Sequence, residues 1–172
     1  IGWVNNDRFF MVKDEYDIWQ VDPAGIELPL NITNGYGRKH KTTFNYIRLD
    51  PEKRTLDPGE KILLLAQDKL SKQGGLFYKK IDSISDPEKL SMGPYVYTQI
   101  IKAKSAAQYL VQRSTPAASE LYNGNDLSNL AAITQIAQQQ KDYNWLSNEL
   151  LKWKMLDGKM SEGILFKPEM EN

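Results

Sequence analysis

The chain has 172 residues with 22 basic and 22 acidic side chains, so its formal net charge is zero. One His and no Cys exclude a multi-histidine metal site, a disulfide scaffold, thiolate metal ligation and a cysteine nucleophile. The charge balance gives no electrostatic reason to expect nucleic acid or an anionic membrane as partner, and no apolar run approaches the roughly 20 residues of a membrane-spanning helix.

In chain order, the first two thirds reads as short strands separated by turn chemistry. Arg8 to Val12 is apolar, Asp14-Glu15 marks a tight turn, and Tyr16 to Val21 alternates with the period of a strand. Asp22-Pro23-Ala24-Gly25 is a turn, because Pro pre-sets φ and Gly accepts positive φ. Ile26 to Thr33 is another extended run, ended by Asn34-Gly35, and Pro29 within it points to an edge strand. Phe44 to Leu49 alternates again, followed by the turn-rich Asp50-Pro51-Glu52 and Asp57-Pro58-Gly59. Ile62 to Ala66 is a fully apolar strand. Gly74-Gly75 reads as a hairpin element leading into Leu76 to Ile81, and Leu90-Ser91 closes that unit. A third unit runs from Tyr95 to Ala103, through Gln108 to Arg113, and closes at Ala132-Ile133-Thr134.

The units resemble one another. Asp17-Ile18-Trp19-Gln20-Val21-Asp22 aligns with Leu76-Phe77-Tyr78-Lys79-Lys80-Ile81-Asp82, and more weakly with Gln108-Tyr109-Leu110-Val111-Gln112-Arg113. A repeated four-stranded unit of about 40 to 50 residues is the signature of β-propeller blades; a meander or sandwich with recurring aromatic strands fits the same spacing. Local propensity adds three ambiguous stretches, Ser105–Gln112, Leu127–Gln140 and Trp145–Trp153. Helical spacing is present in each, with Asp126 placed as the cap of the second.

The C-terminal stretch narrows these alternatives. Asp142-Tyr143-Asn144-Trp145, Glu149-Leu150-Leu151-Lys152-Trp153-Lys154-Met155-Leu156-Asp157-Gly158-Lys159 and Glu162-Gly163-Ile164-Leu165-Phe166-Lys167-Pro168-Glu169 resemble one junction in the prolyl oligopeptidase family of serine peptidases. There a pattern E-L-x-x-W-x-x-x-D-G-x-x-x-x-G-x-L-x-x-P marks the passage from a β-propeller into an α/β-hydrolase domain. The Asp17–Gly25 and Pro29–Gly35 stretches look like a blade of the same proteins. The likeness covers nearly the whole chain and is to dipeptidyl-peptidase-like or acylaminoacyl-peptidase-like enzymes of Bacteroides-type bacteria. It implies an all-β fold: a partial, open propeller of about three antiparallel blades over residues 1–142. Residues 143–172 would then form the linker and first hairpin of the hydrolase domain.

The resemblance also implies an absence of chemistry. The family's nucleophile sits in a G-x-S-x-G elbow, which does not occur here, and its Ser, Asp and His all follow the junction hairpin. No Glu-Glu pair matches the one dipeptidyl peptidases use to hold a substrate's amino terminus. The expected catalytic residues are therefore none, with no metal and no cofactor, and no substrate-binding residue is assigned. The expected partners are the parent enzyme's peptide substrates and the downstream hydrolase domain, with self-association through unpaired strand edges. The start at Ile1-Gly2-Trp3-Val4, without initiator Met or leader, and the stop just past an apolar stretch suggest a piece of a longer protein. Its compartment stays open, although the resemblance implies a periplasmic or secreted parent. The alternative is a free-standing all-β module that binds peptide or glycan.

Asp157-Gly158 reads as a two-residue type I′ hairpin turn, with Trp153, Met155, Ile164 and Phe166 making one apolar face. The resemblance favours strand over helix for Leu150 to Leu156. His40, in Arg38-Lys39-His40-Lys41, has no orienting carboxylate or nucleophile at a useful spacing and reads as a solvated loop. The same basic run is a candidate for meeting a peptide carboxylate in a propeller pore. Asp14, Glu15 and Asp17 lack calcium-loop spacing, and Asp17 is expected to bond backbone within its blade. Trp3, Trp19, Trp145 and Trp153 are too scattered for a sugar-stacking platform and are expected in the core. Ser71-Lys72 is not an S-x-x-K motif.

Overall fold

The computed structural model describes residues 2–115, 118–139 and 146–168. The fold is all-β. The first sheet contains β1 (Gly2–Val4), β2 (Phe9–Lys13), β3 (Ile18–Val21) and β4 (Leu30–Asn31) as an antiparallel meander. A helix α1 (Tyr36–His40) leads to the second sheet, formed by β5 (Thr42–Ile47), β7 (Lys61–Asp68), β8 (Gly74–Lys80) and β9 (Glu88–Gly93). Between β5 and β7, the loop donates β6 (Thr55–Leu56) back to the first sheet, parallel to β1. The third sheet is the meander β10 (Val96–Lys102), β11 (Tyr109–Ser114), β12 (Ser119–Asp126) and β13 (Asn129–Ala132). After the short α2 (Ile136–Gln139) comes a two-stranded hairpin, β14 (Leu146–Lys154) with β15 (Met160–Pro168).

The three large sheets stack face to face, as successive blades of an open propeller do. One core joins Val4, Met11, Ile18, Ile32 and Leu56 of the first unit to Phe44, Ile62, Leu64, Ala66 and Phe77 of the second. Another joins Leu63 and Leu76 of the second sheet to Tyr97, Tyr109, Val111 and Leu127 of the third. The middle sheet is thus covered on both faces, which explains why β7 is a continuous apolar run rather than an alternating one. Phe44 and Phe77 meet edge-to-face, with centroids 5.3 Å apart, in the first of these cores.

Several sequence expectations need correction. Gly74 and Gly75 are not turn residues but the buried start of β8. A Cβ at Gly74 would lie 2.3 Å from the Tyr95 carbonyl oxygen, and one at Gly75 2.4 Å from that of Ser91. The turn itself spans Asp68 to Gln73, where the Asp68 carboxylate accepts from the backbone N–H groups of Leu70 and Ser71. The Ile26–Thr33 run is an edge, but only Leu30–Asn31 pairs; Ile26 and Leu28 stand in solvent. The second ambiguous stretch, Leu127–Gln140, opens as a hairpin, in which Asp126 pairs with Asn129 and its side chain accepts from Ser128 N–H within the turn, and turns helical only at α2. Leu127 at the tip is buried in the second core, which outweighs helical propensity there. The first ambiguous stretch supplies most of β11, and the last is strand from Leu146 onward. Gln140 and Trp145, at the ends of two of those stretches, lie outside the described residues, as do residues 141–144 and Glu169.

Gln108–Arg113 is also not the counterpart of β3 and β8. It falls in the second strand of its meander, whereas β3 and β8 are third strands. The true equivalent is β12, and the recurring feature is an aliphatic–aromatic pair: Ile18-Trp19, Leu76-Phe77 and Leu121-Tyr122.

In the C-terminal hairpin, only Gly158 has positive φ (85°), so the turn is a three-residue loop, Leu156-Asp157-Gly158, rather than type I′. The extra residue sets the register: Trp153 pairs with Ser161, and Leu150 with Ile164. Trp153 therefore shares a face with Leu151 and Leu165, its ring over Gly163, while Ile164 and Phe166 lie on the opposite face with Leu150. The three described tryptophans, Trp3, Trp19 and Trp153, are not core residues either. Trp3 is 44% and Trp153 48% exposed, and Trp19 is partly buried.

Candidate functional site

A concavity of about 550 Å³ lies between the second and third sheets. One wall is β5 and the loop after it, with Tyr46, Leu49, Asp50 and Glu52; the other is the end of β10, with Ile101 and Lys102, and the turn after it, with Lys104. Sequence reading found only a turn at Asp50-Pro51-Glu52. That it forms a wall depends on a sheet some fifty residues downstream, and no local signal carries that. Lys104 Nζ reaches Glu52 at 2.9 Å and so joins the two walls. Lys53 Nζ donates to Asp57 at 2.8 Å and Glu60 at 2.7 Å, which holds its ammonium well above the usual lysine range. Burial, ahead of the nearby Glu60 charge, raises the Tyr46 hydroxyl. The lining is mixed in charge and holds no Ser–His or Cys–His arrangement for nucleophilic attack.

The basic run is largely committed to structure. His40 is exposed at the end of α1 rather than in a loop, and its ring lies 4.2 Å from that of Tyr36. Arg38 Nη2 meets Asp14 at 2.6 Å, and Arg38 and Lys41 both lie over the Tyr16 ring at 5.6 Å. Lys69 pairs with Glu15 at 3.3 Å.

The acidic residues nearby are donors' targets, not free ligands. Asp17 is 1% exposed; its Oδ1 accepts from Thr33 Oγ1 at 2.8 Å and Gly37 N–H at 2.9 Å, and its Oδ2 from Arg38 N–H at 3.2 Å. It ties β3 to the segment after β4 and to α1, the backbone role its position predicts. Asp14 accepts from the N–H groups of Tyr16 and Asp17, from the Trp19 indole and from Arg38. Burial alone would raise its carboxyl; these donors prevail and hold it at about 2. Among the described residues, no group of three or more His, Asp or Glu side chains converges closely enough to hold a metal ion.

Ser71 is exposed in the β7–β8 turn, and Lys72 reaches across to Glu162 of the hairpin. The described residues singled out in the sequence are thus not all brought to one place. The Asp14–Asp17 group and the basic run do meet, around Tyr16, but as a structural knot. No protein-family model matches the chain, and no curated protein matches it.

Proposed function

We propose that this chain is the closing part of the propeller of a prolyl oligopeptidase-like serine peptidase, with its last hairpin at the passage into the hydrolase domain. In this reading the chain carries no catalysis. It admits and positions short peptides, by steric selection, for a Ser-Asp-His centre encoded downstream.

The observation that carries the reading is the order of parts: three face-stacked meanders, then a hairpin built on the Glu149–Pro168 stretch that resembles the family's junction. The mixed-charge cleft beside β5 and β10, the first strands of their meanders, is a surface such a peptide can follow. In the absence of a hydrolase domain, the apolar hairpin is available for self-association.

The test is a fluorophosphonate serine-hydrolase probe, applied to this chain and to the same chain extended by its downstream coding sequence. Labelling of the extended protein alone is expected. Labelling of neither would favour a free-standing peptide- or glycan-binding module, and labelling of this chain by itself would overturn the reading.

A further inference from the structure

Arg113 stands out among the cations of this chain, because aromatic rings surround it and no carboxylate pairs with it among the described residues. Its guanidinium carbon lies 4.2 Å from the centre of the Tyr95 ring, 4.4 Å from that of Tyr122 and 5.3 Å from that of Tyr97. One Nη2 N–H donates to the Tyr97 hydroxyl at 3.2 Å, and that hydroxyl in turn meets Ser91 Oγ at 2.7 Å. Nε is buried with no acceptor.

Strand pairing places an acid directly opposite Arg113, namely Glu120 on β12. Yet Glu120 turns its carboxylate away: it accepts from Thr134 Oγ1 and from the Ala137 N–H at 2.8 Å. The obvious internal partner is thus held elsewhere, and the guanidinium keeps its charge without compensation in a half-buried setting.

The platform beneath it is rigidly built. Tyr95 is fixed by a hydrogen bond from Gly74 N–H to its carbonyl at 3.0 Å and by its own N–H to the Gly93 carbonyl at 2.7 Å. Its ring lies so close over Gly93 that a Cβ there would be 2.4 Å from Cε1. On the side of the third sheet that packs against the second, Arg113 therefore presents a planar, preorganised cation with aromatic walls.

The geometry points to Arg113 as the receptor for a carboxylate on a small organic body, such as the free C-terminus of a short peptide. A guanidinium offers paired N–H donors that match the two oxygens of a carboxylate, and stacked rings pre-set its plane. A monoanion matches the single positive charge, whereas a phosphate dianion would leave excess negative charge between tyrosine rings. The inference does not depend on the peptidase reading: it needs only these residues, and it is read by binding rather than by hydrolase labelling.

The test is a titration of the intact chain with N-acetyl-dialanine, its C-terminal amide and inorganic phosphate, followed by the Arg113 Nε signal in proton–nitrogen correlation spectra. The acid is expected to shift that signal saturably and the amide to leave it in place, with Arg113→Lys weakening the acid by about tenfold. Equal effects of acid and amide, no saturable effect of the acid, or acid binding that survives Arg113→Met would each overturn the proposal. Tighter binding of phosphate than of the acid would overturn the carboxylate assignment. Should Arg113→Met fail to fold, the acid-against-amide comparison on the unaltered chain decides by itself.

Discussion

Asp14 and Asp17 share one short turn but are held differently. Asp17 is buried and held by three donors from two segments, Thr33 after β4 and Gly37 and Arg38 in α1, so it organises the link from β3 to α1. Asp14 sits nearer the surface, where two backbone N–H groups, the Trp19 indole and Arg38 together hold its carboxyl at about 2 against the usual 3.8. A carboxyl lowered by folding contributes stability that is present above its unfolded value and lost as pH falls through its folded one. The urea midpoint is therefore expected to fall as pH drops from about 4 toward 2. Asp14→Asn should flatten that limb and lower the midpoint at neutral pH, since the amide keeps one acceptor but not the charge on Arg38. A limb unchanged by the substitution would show that other carboxylates carry the acid response.

The glycines separate two kinds of constraint within the elements. At Gly74 the backbone φ is ordinary, but the space a Cβ needs is occupied by the Tyr95 carbonyl. At Gly158 the space is open, the nearest atom being Lys154 Cε at 3.9 Å, but φ is 85°. Gly74→Ala is expected to cost about 1–3 kcal/mol through forced repacking, and so to lower the melting temperature by roughly 2–12 °C. Gly158→Ala should cost about 1–2 kcal/mol in the hairpin alone. It would then appear as lost hydrogen-exchange protection at Met155 and Gly158 while the global melt stays in place. These two positions also show what sequence could convey. Strand existence was legible where apolar residues alternated between turn residues, as in β3 and β5, or ran on continuously, as in β2 and β7, whereas most of β11 lay in a stretch whose spacing fitted a helix as well. A Gly-Gly pair, however, signals either a turn or a close approach, and only the neighbouring strand decides which. β12 was invisible because Tyr122, Asn123, Gly124 and Asn125 lack an alternating pattern; its pairing with β11 makes it a strand. Arg113 was legible as a strand residue but not as a site, since its three tyrosines come from two other segments, Tyr95 just before β10 with Tyr97 at its start, and Tyr122 on β12.

The recurring aliphatic–aromatic pair shows which surfaces of the assembled stack are unfinished. Phe77 is buried against the first sheet and Tyr122 packs against the second, whereas Trp19 holds the same place on the first sheet with no sheet over it among the described residues. Trp3, Phe10, Val12 and Val21 share that outward face with Trp19. The C-terminal hairpin is less finished still. Both strands run nine residues with a free outer edge among the described residues, and both faces carry apolar side chains, including Ile164 at 63% and Phe166 at 60% exposure. Among the described residues, the ion pair of Lys72 with Glu162 ties it to the stack, an exposed contact of small energetic weight. A long unpaired edge flanked by apolar side chains is the part of a β protein most prone to pairing with a second copy. The first sheet's edges, two-residue strands β4 and β6, are too short to compete. The isolated chain is therefore expected to dimerise through the hairpin, as read by sedimentation velocity across a concentration series. Leu150 and Ile164 face each other across the two strands, so Leu150→Lys with Ile164→Lys places two like charges on one face. Each apolar side chain of this size contributes about 1.5–3 kcal/mol when buried, so the pair of substitutions should weaken association by about a hundredfold or more. Trp3→Lys with Val12→Lys, on the outward face of the first sheet, should leave it nearly unchanged. The opposite ranking would move the association surface from the hairpin to that sheet, and a monomer at every concentration would show that an exposed edge alone does not drive pairing here.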